Sequence, residues 1–363
     1  MKIAFLSFYS GHLNRGVETY LNQLATRLSP HHQVTVYQSG PKVTSKTFTT
    51  HIIPVKISRS SNDLPATHLT KRLFIDHSKR QEFIFFLKVL PYLLKNNYDI
   101  IYPLNSGWPI PILRLLTIIT QDKLVLAGHS GPGWDDRWNL LFRPDLFICF
   151  TSAQLAWARR ASLWPNQRLA LLPHAVDTRI FSPWGPIRNL KLQRPIIINV
   201  AASTTEKRVE QGIRAVARLK QGSFIHLGQG PLDERINNLG YKLLGKSRFL
   251  HTLVPHQQIP DYYRSADLFT FCPYDREAFG LVYLEALASN LPVVATNDPI
   301  RQEIIGKAGL YVTNPQDVDE YASVLKQALA KKWGSQPRWQ AQKFSWDKVI
   351  DQYLKLFNQL VSS

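Results

Sequence analysis

Short apolar runs alternate with longer amphipathic stretches along the whole chain. The runs of the first half are KIAFLSF (2–8), QVTVYQ (33–38), DIIYP (99–103), KLVLAG (123–128), LFICFT (146–151) and LALLP (169–173). Those of the second half are IIINVA (196–201), FIHLG (224–228), DLFTFC (267–272) and PVVAT (292–296). Strands that feed crossover helices onto parallel sheets produce this alternation. The pattern therefore predicts an α/β fold in which each run is a strand.

A polar, proline-bearing stretch, residues 182–195, interrupts the alternation and is typical of a linker. A chain of 363 residues also exceeds what one hydrophobic core usually serves. We therefore predict two doubly wound domains, 1–183 and 184–345, with a cleft between them, and a C-terminal helix in 346–363 that crosses back to the first domain. Open parallel sheets bind ligands at the carboxyl ends of their strands, so the loops that follow strands are expected to carry the chemistry.

The net charge is the outlier of the composition, because 44 Lys and Arg against 26 Asp and Glu give +18. A positive field of this kind concentrates phosphorylated small molecules, nucleic acid and anionic lipid surfaces alike. The hydrophobic share of 44% and the charged share of 19% are those of a globular protein, not of a disordered chain or a coiled coil. The charge favours an anionic partner without selecting one.

Cysteine use and the first residues bear on the compartment. Cys149 and Cys272 lie inside apolar runs, where a thiol behaves as a small buried hydrophobe. The start, MKIAFLSFYSGHLN, lacks the longer apolar stretch and the cleavage site of a signal peptide. No stretch approaches the roughly twenty apolar residues that span a bilayer. We therefore expect a cytoplasmic protein.

The segment from Asp267 to Thr296 carries the most specific chemistry. Its pattern predicts a strand, a loop, a helix and a strand, with Glu277 in the loop and Glu285 in the second turn of the helix. A helix N-terminus offers unpaired backbone N–H groups and a partial positive charge, which suit a phosphate. The amides expected to contact it are those near Phe279, Gly280 and Leu281, where the glycine lets a ligand approach the backbone closely.

Glu277 and Glu285 are separated by seven residues, and this spacing within EAFGLVYLEALA resembles the E-x7-E motif of the retaining family 4 glycosyltransferases. The resemblance spans essentially the whole chain and implies the GT-B fold, two Rossmann-like domains of which the second binds most of a nucleotide sugar. In that family the first Glu contacts hydroxyls of the donor sugar and the second contacts the ribose, and these roles fall to Glu277 and Glu285. The alternative for such a pair near a helix start is capping and solvated surface.

Two further segments of the second half resemble donor-binding parts of this family. VAASTTEKRVEQGIRAVARLK (200–220) resembles its Val-Gly-Arg...Lys-Gly segment, so Lys207 matches the Lys that grips the donor diphosphate. Ala202 stands where the family has Arg, so Lys207 or Arg208 is expected to carry more of that charge. HLGQGP (226–231) resembles the Gly-x-Gly-Pro turn, and because the third glycine of a dinucleotide fingerprint is missing, we expect no NAD.

The first half carries two more candidates. NRGVETYL resembles the family's glycine-rich start of helix one, which implies that Gly16 faces the donor phosphates, although Arg15 takes the place of one glycine. His129 follows the run KLVLAG, where the family places a His that contacts the donor sugar or orients the acceptor. Histidine can also simply donate a hydrogen bond, so its presence does not require a general base. LLPHAVDTRIFSP resembles the family's hinge strand, with His174 and Ala175 in place of Asn-Gly.

Asp317 and Asp319 match the metal-binding Asp-x-Asp pattern of other glycosyltransferases. They follow Asn314-Pro315 in what is predicted to be the first turn of a helix, where the helix dipole favours acids. We interpret them as capping residues and expect no metal and no other cofactor. In a GT-B enzyme, cationic side chains and helix amides would stabilise the leaving diphosphate instead.

The region from Lys42 to Asn97 is strongly basic, with ten Lys or Arg against three acidic residues. In KRLFIDHSKRQEFIFFLKVLPYLLKN the cations alternate with large apolar residues, which suits contact with an anionic membrane. The alternative is an ordinary amphipathic helix with its apolar side in the core. If the region docks on a membrane, the acceptor is expected to be lipid-linked and the protein to associate peripherally with the inner face.

The sequence therefore predicts metal-independent, retaining transfer of a hexose from a UDP- or GDP-linked sugar to a hydroxyl of a glycan or lipid-linked acceptor. The nucleotide base is expected to be recognised by backbone contacts near Val254. One alternative is a sugar-nucleotide epimerase or hydrolase of the same fold, which turns over its donor with no acceptor. Another is a basic nucleic-acid-binding protein, but the sequence has no recognised module of that kind, so we expect no nucleic-acid partner.

Overall fold

The computed structural model describes residues 1–13, 16–43, 45–57, 69–274 and 278–362. The chain folds into two compact units. The first comprises Met1–Pro173 and Val349–Ser363, and the second comprises His174–Lys348. Residues 174–195 thus lie with the second unit, and most of the last helix lies with the first.

The first unit is built on one parallel sheet. Its strands are β1 (Lys2–Ser7), β2 (Gln33–Gln38), β3 (Thr49–Ile52), β4 (Ile100–Pro103), β5 (Lys123–Ala127), β6 (Leu146–Cys149) and β7 (Leu169–Leu171). They pair in the order β3-β2-β1-β4-β5-β6-β7. The helices between them are α1 (Gly16–Leu28), α2 (Leu69–Arg72), α3 (His77–Lys95), α4 (Pro109–Thr120), α5 (Trp134–Leu141) and α6 (Ser152–Ala161). The strand order reverses between β1 and β4.

The second unit repeats this architecture. Its strands are β8 (Ile196–Val200), β9 (Ser223–Leu227), β10 (Phe249–Thr252), β11 (Leu268–Phe271), β12 (Val293–Thr296) and β13 (Gly309–Val312). They pair in parallel in the order β10-β9-β8-β11-β12-β13. Its helices are α7 (Val209–Ala217), α8 (Asp233–Leu244), α9 (Ile259–Ser265), α10 (Leu281–Ala288), α11 (Pro299–Ile305), α12 (Val318–Ala330) and α13 (Gln336–Gln342). Here the order reverses between β8 and β11.

The last helix, α14 (Trp346–Val361), agrees with the predicted helical stretch that begins at Trp346. Its Tyr353 is fully buried within the first unit, where its hydroxyl lies 2.8 Å from that of Tyr20. The Tyr20 hydroxyl also lies 3.0 Å from that of Tyr102 on β4. This buried tyrosine cluster joins α14, α1 and β4, and the polar groups satisfy one another away from water.

The central strands are buried because helices cover both faces of each sheet, which is why their sequences are continuous apolar runs. All residues of β8 and of β11 are buried, as are those of β4 and β6. Each predicted run contains a strand, and the predicted α/β fold is confirmed. Three strands were missed, namely β3, β10 and β13, and each contains half-buried or exposed residues.

Candidate nucleotide-binding site

The second sheet reverses its strand order between β8 and β11, and ligands of doubly wound sheets bind at such a point. The loop after β8 ends in a 3₁₀ turn, Thr205–Lys207, followed by Arg208. The loop after β11 leads to Gly280 and α10. Glu277 lies outside the described residues, so its placement stays a prediction, whereas the structure brings Lys207, Arg208, Phe279, Gly280 and Leu281 to this one edge of the sheet.

The two loops are fastened to each other. The backbone N–H of Tyr274 donates to the carbonyl of Glu206 over 2.9 Å, and Arg208 Nη1 donates to the carbonyl of Pro273 over 3.3 Å. The Arg208 guanidinium also lies 3.7 Å from the centroid of the Tyr274 ring, a close cation–π contact. Arg208 therefore helps to hold the two loops together.

Lys207 ends the 3₁₀ turn and is half-buried. Its Nζ lies 5.6 Å from the ring centroid of Phe271, the last residue of β11. An ammonium group that lies over the carboxyl end of a central strand is suited to a phosphate at the switch point.

The start of α10 is shaped for close approach of a ligand. Gly280 has a φ of 84°, in the left-handed region that favours glycine, and it has no side chain that could cap the helix. The preceding Phe279 is buried, and its ring packs edge-on against His174 with the centroids 5.0 Å apart. Phe279 can therefore offer a ligand only its backbone, while it anchors the loop in the core.

Glu285 lies in the second turn of α10 and is 7% exposed. Its Oε1 lies 3.3 Å from Nε2 of His256, and its Oε2 accepts a hydrogen bond from the Tyr263 hydroxyl over 3.3 Å. The hydrogen bond to Glu285 raises the pKa of His256, whereas burial raises the pKa of Tyr263 well above its ordinary value. Val254 lies two residues before His256 in the loop after β10. Sequence reasoning missed His256 and Tyr263, because no motif marks them.

A buried chain of hydrogen bonds supports the loop after β8. Asn199 Nδ2 donates to the carbonyl of Thr270 over 2.8 Å, so its Oδ1 is free to accept from Nδ1 of His226 at 2.9 Å. Nε2 of His226 then accepts from the Ser203 hydroxyl at 3.0 Å. A Ser-His-Asn order resembles a nucleophile with its base, but Ser203 and His226 are both 0% exposed and no substrate can reach them. The chain is structural.

Gly228 and Gly230, the two glycines of the HLGQGP turn, allow close packing of backbone against backbone. A Cβ at Gly228 would lie 1.8 Å from the carbonyl oxygen of Ala201, and one at Gly230 would lie 2.5 Å from that of Ser203. These glycines let the loop after β9 touch the loop that carries Lys207. Neither has a positive φ.

In the first unit, His129 follows β5 and packs between Tyr20 and Phe150, with a centroid distance of 5.0 Å to each ring. Burial lowers the pKa of His129 to about 3. The imidazole is therefore neutral near pH 7 and suited to hydrogen bonding, not to carrying positive charge. Gly16 begins α1 and is exposed, whereas Arg15 before it lies outside the described residues.

The Asp-x-Asp pair lies at the start of α12, where Asp317 caps the helix. The Asp317 carboxylate accepts hydrogen bonds from the backbone N–H groups of Asp319 and Glu320 at 3.0 and 3.1 Å. Asp319 pairs with Arg218 at 3.2 Å. Within the described ranges, no three His, Cys, Asp or Glu side chains cluster as they would around a metal ion.

Known structures share this architecture over nearly the whole chain. Sucrose-phosphate synthase from Thermosynechococcus elongatus is 21% identical, with a TM-score of 0.78 over 99% of both chains. The HepE protein of Anabaena, solved in complex with UDP and glucose, is 17% identical, with a TM-score of 0.77 over 99% of this chain and 100% of its own. The two doubly wound units thus define a protein of the GT-B fold.

The second unit carries the family relationship. Residues 184–346, which lie within the second unit, match the family described as glycosyl transferases group 1. A GDP-mannose-dependent α-(1-6)-phosphatidylinositol monomannoside mannosyltransferase from Mycolicibacterium smegmatis is 27% identical over 203 residues, which are 50% of this chain and 53% of that protein. Three other curated relatives are matched over only 24%, 38% and 49% of their own length.

Proposed function

We propose that the protein is a retaining glycosyltransferase that moves a hexose from a nucleotide diphosphate sugar to a hydroxyl group, without a metal ion. The observation that carries this proposal is the second switch point, where Lys207, the glycine start of α10 and the nearly buried Glu285 lie on adjoining elements. A UDP- or GDP-linked donor is supported by the UDP and glucose in the HepE complex and by the GDP-mannose dependence of the mycobacterial relative.

The chemistry breaks the bond between the sugar C1 and the donor phosphate oxygen and forms a bond from C1 to the acceptor oxygen on the same face. The acceptor proton passes to the leaving diphosphate. Lys207 and the first amides of α10 stabilise the charge that develops on that diphosphate. Glu277 holds hydroxyls of the donor sugar, Glu285 holds the ribose, and neutral His129 donates a hydrogen bond to the sugar or the acceptor.

The acceptor in this proposal is a glycan or a lipid-linked sugar, and the first unit contacts an anionic membrane. Helix α3 buries Phe85, Phe86 and Val89 in the core, as an ordinary amphipathic helix would. The same helix leaves Leu87 and Leu94 exposed, the latter at 58%, beside cationic residues of the basic region. Apolar and cationic side chains on one surface suit the lipid headgroup boundary. Among the helices of the described residues, none is long and apolar enough to cross a bilayer.

Release of nucleoside diphosphate from UDP-glucose, UDP-galactose and GDP-mannose, with and without added glycan or glycolipid acceptors, tests the proposal. We expect release that depends on the acceptor and is lost in Glu277→Ala. Glu234→Ala, which changes an exposed acid in the first turn of α8, is the matched control and should keep full activity. Equal activity of wild type and Glu277→Ala would sink the assignment, and turnover without any acceptor would indicate the hydrolase or epimerase alternative.

A further inference from the structure

Three side chains around the predicted ribose contact form a small polar cluster, Glu285 with His256 and Tyr263. The carboxylate oxygens have different partners, since Oε1 lies 3.3 Å from His256 Nε2 and Oε2 accepts from the Tyr263 hydroxyl at the same distance. The partners come from separate elements, the 3₁₀ turn His256–Gln258 after β10 and helix α9. The orientation of the carboxylate is therefore fixed from two sides.

We propose that His256 and Tyr263 are positioning residues that hold the Glu285 carboxylate for the ribose of a nucleoside diphosphate, and that this recognition weakens as His256 loses its proton. The inference rests on the proposed function, because it takes the ligand of this site to be a nucleotide. It adds a charge-dependent element to the site that the E-x7-E motif does not contain.

The charges of the cluster explain why the carboxylate needs a cation. A nearly buried Glu beside a diphosphate repels the ligand unless its charge is offset. The His256 side chain is 38% exposed, so it exchanges protons with solvent, and the hydrogen bond to Glu285 raises its pKa. A protonated His256 thus compensates the carboxylate while each oxygen retains lone pairs for the ribose hydroxyls.

The aromatic surroundings fix the imidazole. Phe181 packs edge-on against His256 with centroids 5.7 Å apart, and the Phe181 ring lies 6.1 Å from that of Tyr263. Tyr263 is fully buried, and its raised pKa keeps the hydroxyl protonated as a donor. The Tyr263 hydroxyl therefore stays a donor to Glu285 near neutral pH, which leaves His256 as the titrating partner.

The other charged groups nearby are engaged elsewhere. On α9, Asp261 pairs with Arg264 at 2.5 Å and with Arg188 at 3.4 Å. On α10 and the 3₁₀ turn, Glu285 is the acidic and His256 the basic side chain among the described residues. Titration near neutral pH at this cluster is thus assigned to His256, because an imidazole ordinarily ionises near neutral pH and burial holds the pKa of Tyr263 well above its ordinary value.

The experiment measures binding of UDP, GDP and ADP by calorimetry between pH 5.5 and 8.5, with inorganic pyrophosphate as the probe without ribose. His256→Gln keeps a hydrogen-bond donor but cannot become charged, and Gln257→Ala changes an exposed neighbour on the same turn as the control. At pH 6 we expect His256→Gln to bind the preferred nucleotide roughly tenfold more weakly than wild type, with pyrophosphate binding unchanged. The affinities of the two proteins should converge as the pH rises through the pKa of His256, and Tyr263→Phe should lose affinity by a similar factor at every pH.

Two results would overturn the inference: nucleotide affinity of His256→Gln equal to wild type at pH 6, or an equal loss for pyrophosphate, which would indicate general damage to the loop. These outcomes are separate from failure of the proposed function. If wild type binds none of the three nucleoside diphosphates, the proposed function fails and the inference with it.

Discussion

Protonation of His226 is the perturbation that we expect to cost the second unit most stability. The ring lies on β9 and is fully buried. Its Nδ1 donates to Oδ1 of Asn199 on β8, and its Nε2 accepts from the Ser203 hydroxyl. A proton on Nε2 would abolish the acceptor that the Ser203 hydroxyl uses, and it would place a charge in a fully buried site. Because Ser203 belongs to the loop that carries Lys207, the same event would loosen the proposed donor site.

The magnitude follows from the pKa of His226, which burial lowers from 6.5 to about 3. Between pH 6.5 and about pH 3, the His226 side chain is protonated in the unfolded chain but not in the native state. The free energy of unfolding therefore falls by about 1.4 kcal/mol for each pH unit below 6.5, and by roughly 5 kcal/mol at pH 3. Above pH 6.5 the ring is neutral in both states and the contribution is constant.

His226→Gln removes this titration, and the hydrogen bonds it disturbs should cost about 1–3 kcal/mol at pH 7.5. The stability curves of variant and wild type should therefore meet roughly one to two pH units below 6.5. The measurement is a series of urea unfolding curves at fixed pH values between 7.5 and 4.5. Unfolding is monitored by hydrogen–deuterium exchange of peptides that cover β8 and β9, so the result reports on the second unit alone. His12→Gln, at an exposed position, is the control. Parallel pH slopes for His226→Gln and wild type would refute the reasoning.

Two further substitutions test the packing of each unit. Gly228→Ala should lower the free energy of unfolding in urea by about 3 kcal/mol or more and weaken UDP binding, because its Cβ would lie 1.8 Å from the Ala201 carbonyl oxygen. Gly245→Ala, at a φ of 70° with open space around it, is the control and should lower it by only about 1–2 kcal/mol. Equal losses for the two variants would contradict this reasoning. Burial raises the pKa of Asp136 well above its ordinary value, so its contribution to stability is present below about pH 3.9 and is lost as the pH rises. Asp136→Asn should therefore melt at a higher temperature than wild type at pH 7.5 but not at pH 4. A lower melting temperature of the variant at pH 7.5 would disprove this.

The central strands could be predicted because both faces of their sheets are covered and most positions along them are apolar. The strands β3, β10 and β13 could not, since they lie at sheet edges and carry half-buried or exposed residues, as all four residues of β3 are. A partly polar run of four residues resembles a loop. A sequence pattern therefore identifies a strand that is buried on both faces far better than a strand that is buried on one face.

Parts of the candidate site were equally accessible from sequence, because a loop between a strand and a helix fixes where Gly280 and Glu285 must lie. The partners of Glu285 were not. His256 and Tyr263 lie 29 and 22 residues away along the chain and meet it only through tertiary packing. Arg208 shows the same limit, since its contact with Tyr274 depends on the pairing of β8 with β11.

The central claim is that the second unit holds a nucleotide sugar at its switch point. Calorimetry tests it most directly, by measuring the binding of UDP-glucose and GDP-mannose to wild type, Lys207→Ala and Lys242→Ala. We expect wild type to bind one of these donors at a single site, and Lys207→Ala to bind it at least roughly tenfold more weakly, since a charge-assisted contact to the diphosphate is lost. Lys242→Ala, which alters an exposed lysine of α8, should bind as wild type does. Binding of neither donor by wild type, or equal affinity of Lys207→Ala and wild type, would contradict the claim.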